Sequence, residues 1–278
     1  MITSNAKRYP ISAQCKLLGV PRATYYALKD KINNPKPEDP MTKDVIRVFK
    51  ESRKLYGTRK IKAALKSQGK TISRRRIAKI MKKHQLKSTY RKAKYRLHKP
   101  KVNEAEVPNI LERNFNGYKP QTHLVSDLTY VRVKDTWCYV CLIVDLYNRE
   151  IVGHAAAKNK NADLVKAALA TLDFSLEKIE VFHTDRGSEF DNSKLNEVFD
   201  TFNIKQSLSA KGCPYDNAVI ESTNKILKAE LIYREKFKTL YELQLKLSDY
   251  VHWYNHKRMH STLGYLSPVE FRRQGKTL

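Results

Sequence analysis

From residue 121 onward, strand-like and helix-like segments follow one another in an order that restricts the possible folds more than any other feature. Residues 123–133 alternate between apolar and polar side chains, which indicates a half-buried strand. Two more strands are predicted over 137–145 and 149–156, and then helix, strand, helix, strand and helix over 161–172, 179–184, 192–202, 204–209 and 216–233. Three strands in a row followed by this alternation predict a mixed sheet flanked by helices.

This order of elements is that of a ribonuclease-H-like α/β fold. We therefore predict such a core over residues 121–235, followed by a C-terminal helical extension over 236–278 whose main helix spans 239–254. Asn161 precedes the first core helix and is expected to cap it, because an Asn side chain can accept a free N–H of the first turn.

The part of the chain before residue 100 has a helical pattern. Residues 12–18 and 22–29 flank a glycine turn with the spacing of a helix-turn-helix, in which Arg22 lies on the recognition helix; an ordinary helical hairpin fits the same spacing. Further helices are predicted over 42–55, 58–68 and 73–85, the last capped by Ser73. We predict a helix-turn-helix-like segment over 1–32, a linker over 33–41, a basic helical region over 42–99 and a second linker over 100–120.

The charge of the chain is distributed unevenly. The formal net charge is +26, of which +24 belongs to residues 1–120, and 20 basic side chains but no acidic ones lie between Glu51 and Glu104. Such a segment predicts a polyanionic partner, because neutralising phosphates releases condensed counterions. The basic helices lack a broad apolar face with Trp or Phe, which argues against a membrane surface. The candidate DNA contacts in this region are Arg22, Arg59, Lys60, Arg74, Arg75 and Arg76.

Three of these arginines, Arg74, Arg75 and Arg76, occupy the first turn of a predicted helix. The helix dipole disfavours cations at this end, so contact with phosphate or a DNA groove explains them better than helix stabilisation does. A solvated surface is the alternative, but we expect that no nearby acidic residue neutralises these three arginines.

Three carboxylates of the nearly neutral core lie within or directly beside predicted strands and helices. Asp127 interrupts a strand, Asp185 ends another, and Glu221 lies one turn into the last core helix. A carboxylate within an apolar strand is costly to bury unless it is paired, protonated or bound to a cation. Hard oxygen ligands suit Mg²⁺ or Mn²⁺, and two such ions can catalyse phosphodiester chemistry. We predict that these three residues are the catalytic metal ligands and that they hold two ions.

The sequence strings around these acids resemble those of bacterial insertion-sequence transposases, in particular the second-frame product (OrfB) of the IS-three-type elements in the retroviral integrase superfamily. The resemblance rests on the Asp-Asp-Glu spacing and on four strings of the sequence: 183–188 (HTDRGS), 211–222 (KGCPYDNAVIES), 254–265 (YNHKRMHSTLGY) and 56–59 (YGTR). It covers nearly the whole chain, including residues 10–26 of the N-terminal region.

The resemblance implies a metal-dependent recombinase that nicks DNA at element ends and joins the freed 3′ hydroxyl to a new phosphodiester. Lys228, two helical turns after Glu221, matches a basic residue of the family and is expected to bind a terminal phosphate. A homo-oligomer on DNA and a fusion to a first-frame partner are also implied. The chain departs from the family at Leu124, where Trp is frequent, and at Glu189-Phe190, where Gln-Tyr is frequent, so Glu189 adds a carboxylate near the site.

Two further groups of side chains could ligate a metal ion. Cys138 and Cys141 fall three apart on a predicted strand and therefore point to opposite faces, which favours packing over zinc or redox chemistry. His252, His256 and His260 would share one helix face, yet no Cys or carboxylate accompanies them at ligand spacing, so packing or DNA-backbone contact is favoured over zinc.

Four scattered cysteines and an N-terminus without a signal-peptide core predict a cytoplasmic protein with reduced thiols. Two other functions stay open at this point. One is a DNA-binding regulator whose integrase-like domain is inert, and the other is a nuclease of the same fold that cuts without joining.

Overall fold

The computed structural model describes residues 2–34, 37–89, 107–190, 192–210 and 213–278. Parts of both predicted linkers and of the 211–222 string therefore lie outside the described residues. The N-terminal helices are α1 (Ile2–Asn5), α2 (Ile11–Leu17), α3 (Arg22–Asn33), α4 (Thr42–Glu51), α5 (Thr58–Ser67) and α6 (Arg74–Lys83). The remaining elements are β1 (His123–Val133), β2 (Thr136–Asp145), β3 (Ile151–Ala157), α7 (Ala162–Leu169), β4 (Val181–Thr184), α8 (Ser193–Thr201), β5 (Lys205–Leu208), α9 (Ala218–Glu230), α10 (Leu240–His256) and α11 (Pro268–Arg273).

The five strands form one mixed sheet in the order β3-β2-β1-β4-β5. The strands β1, β2 and β3 pair antiparallel, whereas β4 is parallel to both β1 and β5. The pairing of β1 with β4 covers only residues 123–125, so the two strands diverge just before Asp127. The predicted α/β fold is confirmed, and this divergence places Asp127 where the sheet opens.

Each face of the sheet is covered by its own apolar cluster. One cluster joins Val125, Val131 and Cys138 to α9 and α10, and the other joins Leu124 and Cys141 to α7 and α8. The two cysteines therefore point to opposite faces, as their spacing predicts. Side chains that alternate along β1 and β2 supply both clusters, which explains why these two strands are apolar on both sides.

The helices α4, α5 and α6 pack against the sheet domain through the same cluster as α9 and α10. Tyr56 lies at the junction: its hydroxyl accepts a hydrogen bond from the Met259 N–H at 2.8 Å and donates one to the Lys257 carbonyl at 3.2 Å. The predicted helix over 42–55 ends at Glu51, and Arg53 and Lys54 adopt left-handed backbone with φ of 56° and 62°. This reversal of the chain brings Tyr56 onto the core.

Residues 107–120 of the second predicted linker pack on the core. Leu111 is buried, and the Ile110 N–H donates to Ser207 Oγ of β5 at 2.9 Å. Arg113 donates from Nε to the buried carboxylate of Asp216 at 2.7 Å. These contacts fix the chain across the end of β5 and the loop that precedes α9.

The last part of the chain contains more breaks than its sequence predicts. In place of the helix predicted over 216–233, the structure has a 3₁₀ turn over 214–217, then α9, and then a second 3₁₀ turn over 232–234. The break after α9 occurs at Leu231, whose backbone leaves the helical conformation at φ −122°. The C-terminal tail includes α11, which begins with a capping box in which Ser267 and Glu270 satisfy each other's backbone N–H groups. Within the described residues, helices long and apolar enough to span a bilayer are absent.

Candidate active site

Asp127 lies in the middle of β1 and is held by two donors. Its Oδ1 accepts the Leu128 N–H at 2.8 Å, and its Oδ2 accepts Asn224 Nδ2 of α9 at 2.8 Å. Burial, and then the charge of Asp185, raise the pKa of Asp127 to about 7 against the lowering effect of these hydrogen bonds. The carboxyl is therefore fixed in position while its negative charge is poorly compensated.

Asp185 follows β4 directly and turns into the loop of the HTDRGS string. Its Oδ1 accepts the Gly187 N–H at 3.0 Å. Burial, and next the charge of Glu189, raise the pKa of Asp185, with Lys160 acting in the opposite sense. His183, two residues earlier, is buried with Nδ1 2.8 Å from Ser207 Oγ, and burial lowers its pKa to about 4. The neutral form of the His183 imidazole is therefore favoured at pH 7.

Glu221 lies in the first turn of α9, partly exposed, with Lys225 Nζ 3.4 Å from its Oε2. Its charge contributes to the raised pKa of both Asp127 and Asp185, so the three acids share one electrostatic environment. In the part of the chain that the structure describes, groups of three or more His, Cys, Asp or Glu side chains arranged to hold a metal ion are absent. The fold thus brings the three acids into one region without closing them into a ligand set.

The residues present nevertheless fit a hard divalent cation. The donors are carboxylate oxygens, which Mg²⁺ and Mn²⁺ prefer. The raised pKa values of Asp127 and Asp185 indicate uncompensated negative charge, which a cation would neutralise. Beside them, the buried Oδ1 of Asn224 has no hydrogen-bond partner among the described residues.

Glu189 occupies the position where the family frequently has Gln, and it is buried next to the two aspartates. Its Oε1 accepts Lys160 Nζ, from the loop before α7, at 2.9 Å. A Cβ at Gly187 would lie 2.6 Å from the Glu189 carboxyl carbon, so a side chain at this position requires the Glu189 carboxylate to shift. Lys160 also feels the charges of Asp185 and Asp127, so its ammonium group partly compensates all three carboxylates.

Two other residues of the site were not anticipated from the sequence. Asn224 follows Glu221 by three positions, so the two residues lie on one face of a helix, and this spacing could have identified Asn224 from the sequence. Asp216 accepts the Ala210 N–H at 2.9 Å in addition to the Arg113 guanidinium. Although burial opposes them, these hydrogen bonds keep the pKa of Asp216 below its usual value, and Asp216 thereby fixes the loop before α9.

The three histidines do not share a helix face as predicted. His252 and His256 stack with their rings 4.3 Å apart, but α10 ends at His256, and His260 lies beyond it. There, His260 Nε2 is 3.2 Å from Nη1 of Arg258, which itself forms a buried pair with Glu230. A guanidinium beside the imidazole disfavours a bound cation, which supports the packing role.

The predicted DNA contacts of the N-terminal region fall into two groups. Exposed arginines stand at the first turns of three helices: Arg22 on α3, Arg59 on α5, and Arg74, Arg75 and Arg76 on α6. Arg76 is paired with Asp39 at 2.5 and 2.8 Å, an acid 37 residues away in the sequence, so the expectation that nothing acidic neutralises this cluster is wrong for Arg76.

Lys60 is different, because it turns inward. Its Nζ lies 5.1 Å from the centre of the Tyr56 ring, and burial lowers its pKa to about 8. Lys228, in contrast, stands near the active site: it is half-buried on α9, its pKa is lowered by burial, and the charge of Asp127 counteracts this lowering. Lys228 is therefore within the electrostatic influence of Asp127.

The chain matches models of known protein families and curated relatives over nearly its whole length. Two models described as "Integrase core domain" match residues 117–214 and 221–275, and one described as "HTH-like domain" matches residues 37–94. The chain is 28% identical to the InsK protein of insertion sequence element IS150 from Escherichia coli K12, over 96% of this chain and 94% of that protein. It is 27% identical to the transposase InsF for insertion sequence IS3A of the same strain, over 98% and 97%.

A solved structure with a similar chain is that of a simian T-cell lymphotropic virus intasome in complex with a PP2A regulatory subunit, at 16% identity over 82% of this chain and 73% of that chain, with a TM-score of 0.49. The matches to two integrase-core models and one HTH-like model, together with the order of the strands, identify an integrase-core protein with an N-terminal HTH-like domain. Within that class, the homologues of this chain are transposases of the IS3 and IS150 insertion sequences, at 27–28% identity over nearly the whole chain.

Proposed function

We propose that this transposase cuts and joins DNA strands with Mg²⁺ or Mn²⁺ held by Asp127, Asp185 and Glu221. The observation that carries the proposal is the arrangement of three elements: β1 with Asp127 lies beside the parallel strand β4, which ends just before Asp185, and the Asn224–Asp127 hydrogen bond holds α9, which carries Glu221, against β1. A site that concentrates negative charge on oxygen ligands at the opening of a sheet is suited to a divalent cation. Bound metal, with two ions proposed, would neutralise charge on the attacking and leaving oxygens of a phosphodiester.

The chain's own residues orient this chemistry. Asn224 and the Leu128 N–H fix the Asp127 carboxylate, and the Gly187 N–H fixes that of Asp185. We propose that Lys228 binds the phosphate of the strand end, because its ammonium group lies in the electrostatic range of Asp127. His183 takes no proton from the substrate, since it is buried and hydrogen-bonded to Ser207.

The basic N-terminal part would hold double-stranded DNA while the neutral core reacts with it. We propose that this division follows the predicted limits, with DNA bound by 1–32 and 42–99, catalysis in 121–235 and support from 236–278. Arg22, Arg59, Arg74 and Arg75 are exposed and available for phosphate contacts. Arg76 would exchange Asp39 for phosphate, and Lys60 would stay a packing residue with a minor part in binding.

Strand joining brings two element ends together, so we propose that the chain acts as a homo-oligomer on DNA in the cytoplasm. A first-frame partner, fused to this chain, would add further contacts to the element ends.

The test is a strand-transfer assay in Mg²⁺ with duplexes taken from the DNA that flanks the gene. The parent protein should cut the duplex and join its 3′ end to a target. Asp185→Ala and Glu221→Ala should abolish joining and leave DNA binding, measured by fluorescence anisotropy, within about twofold of the parent. Glu197→Ala, an acid on α8 away from the site, is the matched control and should keep full joining.

Other outcomes favour the alternative functions. Cutting without joining would indicate a nuclease of the same fold, and tight binding without any cutting would indicate a regulator with an inert integrase-like domain. Joining that survives Glu221→Ala would contradict the assignment of the three acids.

A further inference from the structure

An exposed pair of aromatic rings lies on the β1–β2 hairpin, on the strand that carries Asp127. The side chains of Tyr130 and Trp137 are 51% and 50% exposed, and their rings meet edge to face at 5.3 Å. Both lie on the sheet face that α7 covers, but beyond the cluster of residues that α7 buries. Leaving half-exposed rings of this size in water costs free energy, and such exposed apolar surface is typical of a binding site.

Two cations flank the rings. The Arg132 guanidinium lies 5.2 Å from the centre of the Trp137 ring, and Lys228 Nζ lies 4.8 Å from the centre of the Tyr130 ring. Lys228 belongs to α9, which packs on the opposite face of the sheet. The rings are thus bordered by positive charge from two different elements, which is complementary to a phosphate backbone.

The same cation connects the rings to the reacting centre. Lys228 touches Tyr130 and also lies within the electrostatic influence of Asp127. Along an extended strand, three residues separate Tyr130 from Asp127 by about 10 Å, which is roughly three nucleotide steps of a stacked DNA strand. The two side chains point to opposite faces of the sheet, so the DNA strand would pass around the edge of β1 beyond its pairing with β4, where Lys228 reaches from α9 to Tyr130. A strand that reacts at the carboxylates could therefore extend to the rings.

We propose that Tyr130, Trp137, Arg132 and Lys228 form a stacking platform for an unpaired base of the DNA strand that reacts at the carboxylates. Aromatic rings with adjacent cations bind single-stranded nucleic acid by stacking on bases and pairing with phosphates, with little dependence on sequence. This proposal rests on the proposed function, because it places the platform next to the site of strand cutting. The alternative is that the ring pair only stabilises the hairpin as a diagonal cross-strand contact.

The test measures binding of an oligothymidylate of about ten nucleotides, a length suited to a single-strand site. Trp137 and Trp253 are the two tryptophans of the chain, and Trp253 is only 6% exposed. Binding should therefore quench the fluorescence of Trp137, and Trp137→Phe should abolish the quench. A duplex of the same length should cause little quenching, because its bases are already stacked.

Variants that lose a ring, compared with variants that keep one, distinguish stacking on bases from attraction between charges. Tyr130→Leu and Trp137→Leu should weaken oligothymidylate binding, followed by anisotropy at raised salt, about tenfold each, whereas Tyr130→Phe and Trp137→Phe should stay within about twofold of the parent. Raised salt suppresses the sequence-independent contribution of the basic N-terminal region. Tyr241→Leu removes a ring that is 67% exposed on α10 and should bind like the parent.

A structural role gives a different result. Leu variants that melt at lower temperature yet bind the oligothymidylate like the parent would overturn the platform and leave only hairpin stabilisation. If these variants bind normally while the parent still joins strands, the platform alone fails and the transposase function stands. If they lose single-strand binding while the parent joins no strands, the platform stands and the proposed function fails.

Discussion

Lys160 and Glu189 form an ion pair, Nζ to Oε1 at 2.9 Å, beside the two aspartates of the candidate active site. The Glu189 side chain is 2% exposed, whereas that of Lys160 is 45% exposed. The lysine therefore lies at the mouth of the site and compensates a buried acid. The charges of Asp185 and Asp127 also raise the pKa of Lys160, so this one ammonium group interacts with three carboxylates.

We expect Lys160→Met to destabilise the protein by roughly 1–2 kcal/mol, because it leaves Glu189 buried without its counter-charge while the partly exposed lysine limits the loss. Urea unfolding at pH 7 measures the change. The double variant Lys160→Met with Glu189→Gln is the control and should recover most of the lost stability. Equal stability of the parent and Lys160→Met would show that the pair contributes nothing.

Asp127 predicts a pH dependence of stability in metal-free protein. Its pKa is about 7 in the folded chain and near 3.8 when unfolded, so the folded state binds the proton more tightly. Stability is then favoured at low pH, declines as the pH rises from about 4 to 7, and stays reduced above 7. Asp127→Asn should remove this decline and be more stable than the parent by up to about 4 kcal/mol at pH 8.

The measurement is urea unfolding of both proteins at pH 5 and pH 8 in the presence of a chelator. Added Mg²⁺ should stabilise the parent at pH 8 and have little effect on Asp127→Asn, because binding to the folded state alone raises stability. A parent whose stability rises between pH 5 and pH 8 by more than that of the variant would contradict the environment assigned to Asp127.

A side chain at Gly187 should displace the Glu189 carboxylate. A Cβ there would lie 2.6 Å from the Glu189 carboxyl carbon, so Gly187→Ala must displace this carboxylate from Lys160. We expect strand transfer to decrease about tenfold, because misplacing groups of an active site by an ångström can slow a reaction by up to about a hundredfold. Gly57→Ala is the matched control, since a Cβ at Gly57 meets nothing within 4 Å. Full strand transfer by Gly187→Ala would show that Glu189 can move without consequence.

Tyr56 connects the HTH-like domain to the core. Tyr56→Phe removes the hydroxyl that accepts the Met259 N–H and donates to the Lys257 carbonyl, and should lower stability by about 1–2 kcal/mol because these groups lose their partner. Thermal unfolding followed by circular dichroism measures the loss. Tyr9→Phe, at an exposed position, is the control and should melt like the parent. An unchanged melting temperature for Tyr56→Phe would mean that water replaces the hydroxyl.

Much of the fold could be predicted because it depends on signals between near neighbours. Alternation along β1 and the Ser73 and Asn161 caps, each accepting an N–H three residues on, act within a few residues. The opposite orientation of Cys138 and Cys141 follows from the two-residue period of a strand. The assignment of Asp127, Asp185 and Glu221 came from motif spacing, and their role as metal ligands stays a prediction.

The order of strands and helices, the basic first part of the chain and the three acids predicted to form the site all follow from the amino-acid sequence alone. Which polar side chains meet depends on tertiary packing: Arg76 pairs with Asp39, Lys160 pairs with Glu189, and Asn224 donates a hydrogen bond to Asp127, 97 residues away in the sequence. The physical reason is that caps and periodicity act between residues close in the chain, whereas ion pairs and buried hydrogen bonds depend on how distant elements pack. That packing also placed Lys228 between the carboxylates and the exposed rings of the β1–β2 hairpin.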